Sequence, residues 1–186
     1  MAASASAAEF HSEAATTGID GSQKTKNKFI TEAGTVECSG VNFTGTQSGA
    51  TATSVTVTPS YSGCTAFGFA TAHVEVTGCT MKIFSSGTSE LLCGATGHIV
   101  ITPTFFGSVC TTTIGGNQHF ATGLTFTNEG AGTSRDTVVD QNITGIKYTS
   151  SGGSCGTAGS HSDGTLSGSV TTTGTAGGKQ VGIWWQ

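Results

Sequence analysis

The sequence predicts an all-β fold: an antiparallel β-sandwich or barrel-like structure of about ten to twelve short strands, stapled by disulfides. Thr (35), Gly (29) and Ser (21) supply 85 of the 186 residues. The β-branched Thr side chain favours a pleated strand over a helix, and Gly supplies the backbone conformations that tight turns need. The composition therefore indicates many strands joined by short turns.

Apolar and polar residues alternate with the period of two that is typical of strands with one buried face. Val55 and Val57 alternate with threonines, and Ile183 and Trp185 flank Trp184. Gly-rich turn sequences stand between such runs, and no helical pattern separates them. This arrangement excludes a parallel α/β sheet and favours hairpins.

The first part of the chain differs from the rest in having few large apolar side chains. We expect residues 1–27 to form an extended or mobile N-terminal arm, and residues 28–186 to form one all-β domain. Ala3-Ser4-Ala5 and Ala5-Ser6-Ala7 are similar to signal-peptidase sites. The arm is therefore predicted to carry a signal-peptide remnant, with Met1 as an added start.

Cysteine spacing predicts disulfides, because no C-x-x-C pair suited to zinc or redox chemistry occurs. Disulfides indicate an oxidising, extracellular compartment. Six cysteines allow fifteen connectivities, and the sequence alone does not choose among them. The six are Cys38, Cys64, Cys79, Cys93, Cys110 and Cys155. One hypothesis joins Cys64 to Cys79, Cys93 to Cys110 and Cys38 to Cys155, so that two bridges close adjacent strand pairs and the third ties the ends together.

Charge argues against nucleic acid as a partner. Only 10% of the residues are charged and the formal net charge is −4. Lys24, Lys26 and Lys28 form the only basic cluster, which we interpret as a solvated segment before the first strand. No apolar stretch approaches the roughly 20 residues that span a bilayer. No membrane span is predicted.

Catalytic motifs are weak. Gly152-Gly153-Ser154-Cys155-Gly156 matches G-x-S-x-G, but that motif needs a strand-to-helix elbow, and a disulfide is expected at Cys155. His73 and Glu75 share one strand face, where we expect them to face solvent. The histidines, at positions 11, 73, 98, 119 and 161, show no zinc spacing. No catalytic residue, metal site or cofactor is predicted.

Three further groups of residues are weighed as binding sites. Glu129, Asp136, Asp140 and Asn142 carry oxygen ligands suited to calcium, without the spacing of an EF-hand. T-x-T runs can order water or ice, but irregular strand lengths favour ordinary β-propensity. Trp184 is expected on the face opposite Trp185, where it could contact a sugar or a partner.

Several segments together resemble secreted, Thr/Gly-rich, six-cysteine proteins of soil actinobacteria whose function is not known. The segments are Phe10-His11-Ser12-Glu13, TPSYSGC at 58–64, Ala66-Phe67-Gly68, NITGIKY at 142–148 and Val181-Gly182-Ile183-Trp184. The resemblance implies bacterial export and a six-cysteine framework. It carries over no catalytic or binding residue.

The sequence leaves three functions open. The first is a non-enzymatic, extracellular structural or cell-surface protein that self-assembles through sheet edges into a homo-oligomer or filament. The second is a secreted module that binds a surface polysaccharide or another partner, with Trp184 as a contact. The third is a secreted hydrolase with a non-standard site, which would show converging ionisable groups in a concave pocket.

Overall fold

The computed structural model describes residues 7–105, 108–153 and 155–186, and in this part of the chain it contains fifteen strands and no α-helix. The strands are β1 (Phe10–Ser12), β2 (Thr16–Thr31), β3 (Gly34–Ser48), β4 (Thr51–Ala52), β5 (Ser54–Ala66), β6 (Ala70–Phe84), β7 (Ser89–Phe105), β8 (Ser108–Val109), β9 (Thr111–Gly115), β10 (Gln118–Phe120), β11 (Leu124–Glu129), β12 (Asp136–Ser151), β13 (Gly159–Ala176), β14 (Lys179–Val181) and β15 (Ile183–Trp185). A single 3-10 turn covers Gly132–Ser134.

Eight of these strands close into an up-and-down antiparallel barrel. Their order around the barrel is β2, β3, β5, β6, β7, β9, β12 and β13, and β13 pairs with β2 to complete the circle. Each strand thus pairs with the next barrel strand along the chain. The predicted all-β, barrel-like fold is confirmed.

The barrel strands are longer than the sequence pattern suggested. Seven of them hold 13 to 18 residues, because Thr, Ser and Gly between the apolar runs continue the same strand. Inward positions alternate along β5, where Val55 and Val57 are buried and Thr56 and Thr58 are exposed. Bulges interrupt the ladder, as between Ser22 and Asn27 of β2.

The side-chain amide of Gln118 joins two neighbouring strands, β10 and β12, that are not paired through their main chains. Gln118 of β10 pairs with β7 through its main chain. Its side chain accepts a hydrogen bond from the N–H of Lys147 at 2.8 Å and donates to the carbonyl of the same residue at 2.9 Å. The amide therefore takes the place of a neighbouring strand beside β9. We call this contact between β10 and β12 the amide seam.

A small second sheet covers one end of the barrel. β1 lies between β4 and β15, and its Phe10 meets Phe126 edge to face at 5.1 Å. Asn128 pairs with both main-chain polar groups of Trp185, at 2.7 and 2.8 Å. We call this the capped end.

The expected N-terminal arm is not separate from the domain. Residues 10–12 form β1, and the boundary drawn between residues 27 and 28 falls inside β2. A barrel strand buries one face only, and so Ile19 and Phe29 suffice to anchor a segment with few large apolar residues. Residues 1–6, which include most of the expected signal-peptide remnant, lie outside the described residues.

The hypothesised disulfide pairs are wrong, although every cysteine is bridged as expected. Cys38 joins Cys64 across β3 and β5, and Cys79 joins Cys93 across β6 and β7, with Cα atoms 3.9 and 4.1 Å apart. Cys110, just before β9, joins Cys155 in the loop between β12 and β13. In the structure each cysteine is bonded to its neighbour along the chain, counted from Cys38, whereas the hypothesis counted these neighbouring pairs from Cys64.

Within the described residues, no helix has the length and apolar character required to cross a membrane.

Candidate functional site

The end of the barrel opposite the cap is built from turns. The β2–β3 turn at Glu32 and Ala33, the β5–β6 turn at 67–69 and the described part of the β12–β13 loop, at 152–153 and 155–158, all lie there. We call this the turn end. Behind it the barrel interior contains a cavity of about 60 Å³, to which all eight barrel strands contribute.

The lining of this lumen cavity is almost entirely apolar. Aliphatic and aromatic side chains such as Phe29, Met81, Leu91 and Ile143 form the walls. Among the described residues that line it, none is charged, and hydrogen-bonding side chains come only from Asn27 and Tyr61. Eight-stranded barrels have just enough interior space to be filled by side chains or to hold one small ligand.

Tyr61 points into the lumen from β5. Its hydroxyl makes no hydrogen bond to any residue that the structure describes, and burial raises the pKa of Tyr61 to about 12. The ring keeps some accessible surface, and it lines the cavity rather than the outside of the barrel. A phenol hydroxyl in apolar surroundings without a protein partner is costly unless a water molecule or a ligand pairs with it.

Asn27 reaches the same cavity from β2, just after the bulge. It is only 2% exposed. Its Nδ2 donates to the carbonyl of Thr25 at 3.4 Å. Its Oδ1 accepts no hydrogen bond from the described residues. Buried polar atoms are almost always paired, and so this unpaired acceptor needs an explanation.

Phe67 stands at the turn end, between the lumen and solvent. Among the described residues it is the one non-glycine residue with a positive φ, of 55°. A Cβ at Gly34 would lie 2.5 Å from Cε1 of Phe67, and so only glycine fits beneath the ring. A cavity of about 20 Å³ joins Phe67 to Phe29 and Ile101, which also line the lumen cavity. Strained residues of this kind cluster at ligand clamps.

Four ionisable side chains converge at the turn end of β12 and β13. Tyr148 stacks on His161 at 4.9 Å and donates to Oδ1 of Asp163 at 2.9 Å. Nδ1 of His161 lies 3.3 Å from a carboxylate oxygen of Glu32, and Nε2 lies 3.2 Å from the carbonyl of Thr157. Each of the four side chains thus contacts at least one other member of the group. The network fixes the β2–β3 turn onto β12 and β13.

The pKa of Tyr148 reflects these contacts. Burial raises it, the N–H of Glu32 opposes the rise by donating to the phenol oxygen, and Asp163 adds to it. The same contacts hold the β2–β3 turn against the barrel wall.

Trp184 lies at the capped end on the face opposite Trp185, as predicted. Its ring stacks on His11 at 5.2 Å, and the Arg135 guanidinium lies 4.7 Å from the ring centre. β1 carries His11 on one side of β15, and Arg135 bonds to Ile183 on the other side. Neighbours from both sides thus flank the indole ring, which reduces the surface left for stacking on a sugar.

The other residues singled out in the sequence do not assemble into a site. His73 and Glu75 are exposed on β6, as expected. Glu129 and Asp136 face each other across β11 and β12, and burial raises the pKa of Asp136. Asp140 lies further along β12 and is exposed, as is Asn142. The described residues contain no group of three or more acidic, His or Cys side chains suited to a metal.

The G-x-S-x-G motif lies between two strands, since β12 ends at Ser151 and β13 begins at Gly159. Cys155 is bonded to Cys110, and Ser154 lies outside the described residues. The lysine cluster was expected before the first strand but lies within β2. Lys26 and Lys28 pair there with Glu37, and those contacts lower the pKa of Glu37.

A larger concavity of about 530 Å³ lies on the outside of the barrel, where β9, β12 and β13 meet. Thr113, Lys147, Thr149, Ser160 and Ser162 are among its lining residues. It is wide open to solvent, and Tyr148 and His161 of the network described above line it together with hydroxyl side chains of the outer surface. The lumen differs from it in being more enclosed and almost entirely apolar.

Sequence reasoning did not find Asn27, Tyr61 or Phe67. Asn27 stands at an inward position of β2, two residues before Phe29, and that spacing could have indicated its burial. Tyr61 stands at an inward position of β5, two residues after Pro59, and that spacing could have indicated it. The positive φ of Phe67 has no sequence signal, because glycine normally occupies such a position.

No protein-family model matches the chain, and neither a curated protein nor a solved structure matches it significantly. The resemblance to secreted actinobacterial proteins stays a prediction.

Alkaline titration should identify Tyr61. The folded state favours the neutral phenol, whose pKa rises from 10.0 to about 12. The resulting stabilisation is complete below pH 10 and is lost as the pH rises towards 12. Phenolate absorbance should show a transition near pH 12 that Tyr61→Phe removes and Tyr148→Phe retains. Loss of this transition in Tyr148→Phe alone would contradict the assignment.

Proposed function

We propose that this protein is a non-enzymatic, extracellular binding protein whose barrel encloses one small, uncharged, largely apolar molecule. The observation that carries the proposal is the Tyr61 hydroxyl, which faces the apolar lumen cavity without a hydrogen-bond partner among the described residues. Ligand sites are typically apolar hollows with a few polar groups that orient the ligand.

The lumen sets the class of ligand by charge and by size. No described lining residue carries a charge that could compensate an ion, and burying an uncompensated ion is very costly. The cavity of about 60 Å³ is smaller than the roughly 150 Å³ known to accept benzene. The ligand is therefore a molecule of a few heavy atoms, unless side chains such as Met81 move aside.

Closure of the barrel argues against the alternative that the protein assembles into filaments through its sheet edges. Self-assembly through sheet edges needs unpaired strands, and the eight barrel strands are paired on both sides. The edges left among the described strands belong to short ones such as β4, β8 and β14. Asn128 also covers part of the edge of β15. A container function makes use of the closed barrel, whereas filament formation does not.

Secretion fits this proposal. Three disulfides fasten the wall of the barrel and the turn end. Such bonds persist in oxidising surroundings outside the cytosol. A protein that keeps its barrel closed there protects the lumen and its contents from water.

Xenon tests the proposal, because it enters dry apolar cavities without needing a specific contact. Under xenon pressure, NMR signals of the Ile101, Ile114 and Ile143 methyl groups should shift in a saturable manner. Val74→Leu adds a methylene group to the lumen cavity and should weaken that response.

The capped end supplies an internal reference for this experiment. Val55 and Ile83 line a separate cavity of about 50 Å³ there, and their response to xenon should be the same in Val74→Leu as in the wild type. Absence of any xenon response at the lumen methyl groups would falsify the proposed function.

A further inference from the structure

The Tyr61 hydroxyl is enclosed by the barrel wall. The inward residues of this part of β5 are Pro59 and Tyr61, which line the lumen cavity, whereas Ser60 and Ser62 are exposed on the outer surface. Burial by the surrounding protein raises the pKa of Tyr61, so that the phenol stays neutral and keeps its proton. The hydroxyl is therefore a hydrogen-bond donor held away from bulk solvent.

Accessible surface separates this hydroxyl from the other polar side chain of the lining. Oδ1 of Asn27 has less than 1 Å² of accessible surface, and Nδ2 donates to the carbonyl of Thr25. The Tyr61 hydroxyl is not among the described polar atoms that lack both accessible surface and a partner. Since it makes no hydrogen bond to a described residue, it keeps accessible surface, which opens into the cavity that the ring lines. A molecule in the cavity can thus pair with Tyr61 but not with the oxygen of Asn27.

Water is a poor partner for the Tyr61 hydroxyl. A buried water molecule typically makes about three hydrogen bonds to polar groups. Apart from Asn27, whose oxygen is out of reach, the described lining offers no second hydrogen-bonding side chain. A molecule with one acceptor atom and an apolar body would pair with the hydroxyl and also cover the aliphatic walls.

We infer that the lumen ligand is an uncharged molecule with a carbonyl or ether oxygen, which accepts a hydrogen bond from the Tyr61 hydroxyl. This inference rests on the proposed binding function and names its ligand class. A carboxylate acceptor is excluded because no described residue of the lining carries a compensating charge. An alcohol could accept the same bond, but its own proton would then have no side-chain acceptor within reach, which is costly.

Acetone and isobutene separate the acceptor atom from size and shape. Both carry two methyl groups on a trigonal carbon, and only acetone has an oxygen acceptor. Because water solvates acetone better than isobutene, each ligand is compared with itself in the wild type and in Tyr61→Phe, which keeps the ring and removes the hydroxyl. Titrations followed by the lumen methyl signals should show that acetone binds Tyr61→Phe about tenfold more weakly, as expected for losing one hydrogen bond. Isobutene should bind both proteins equally.

Two controls accompany these titrations. Tyr148→Phe removes a hydroxyl that bonds to Asp163 and is absent from the described lining of the lumen cavity, and this variant should bind acetone as the wild type does. The Val55 and Ile83 methyl signals of the capped end should respond to acetone equally in all three proteins. If Tyr61→Phe does not fold, the wild type alone is decisive. The carbonyl carbon signal of its bound acetone should differ from that of acetone in an alkane, in the direction that a hydrogen bond produces.

The outcomes distinguish the two claims. No loss of acetone affinity in Tyr61→Phe, or an equal loss for acetone and isobutene, overturns the acceptor assignment and leaves the binding function in place. A bound acetone signal that matches acetone in an alkane overturns the assignment as well, and so does binding of xenon without binding of acetone. Absence of any response to xenon, acetone and isobutene overturns the proposed function itself.

Discussion

Replacing Cys110 and Cys155 together by alanine is expected to lower the free energy of unfolding by about 4 kcal/mol. The bridge closes a loop with a sequence separation of 45, the longest of the three, and so it restricts the unfolded chain most. It also ties the β12–β13 loop to the start of β9 at the turn end. Urea-induced unfolding, followed by circular dichroism, measures the loss.

The matched control is the double replacement of Cys79 and Cys93, whose sequence separation is 14. The same relation gives a smaller loss of about 3 kcal/mol. The midpoint of unfolding should therefore fall further for the first variant than for the second. The reverse order would show that folded-state contacts, rather than loop length, dominate the contribution of these bridges.

Ile143→Ala is expected to cost about 3 kcal/mol in unfolding free energy and to create a site for benzene. Ile143 is fully buried and lines the lumen cavity. The substitution removes three carbon atoms next to a cavity of about 60 Å³, which brings the space towards the size that accepts benzene. Benzene should then shift the lumen methyl signals and raise the unfolding midpoint.

Ile183→Ala removes the same atoms at the capped end, where Ile183 lines the other cavity. Benzene should leave the lumen methyl signals of this variant unchanged. An equal response of the lumen signals in both variants would mean that the two cavities are connected. An unchanged stability of Ile143→Ala would show that the barrel collapses around the deletion.

Local patterns in the sequence predict local structure well. The exposure of His73 and Glu75 follows from alternation along one strand, and so does the opposite placement of Trp184 and Trp185. The bridging of Cys155 was likewise predictable from cysteine spacing. In each case one strand or one residue type decides the outcome.

Relations between distant parts of the chain escape such patterns. The pairing of β13 with β2 closes the barrel, yet neither strand shows in its own residues which partner it has. The disulfide pairs depend on the same strand neighbours. The position of Phe67 depends on a positive φ, which neighbouring residues in the sequence do not indicate.

The amide seam has a consequence for how small molecules reach the interior. A continuous β-ladder opens only by breaking many cooperative bonds, whereas the contact of Gln118 with Lys147 can separate through one rotamer change. We therefore expect the wall to open more readily at this position than along the ladder. Amide hydrogen exchange at Lys147 should then be faster than in the adjoining ladder, and such an opening would give small molecules a side entrance without global unfolding.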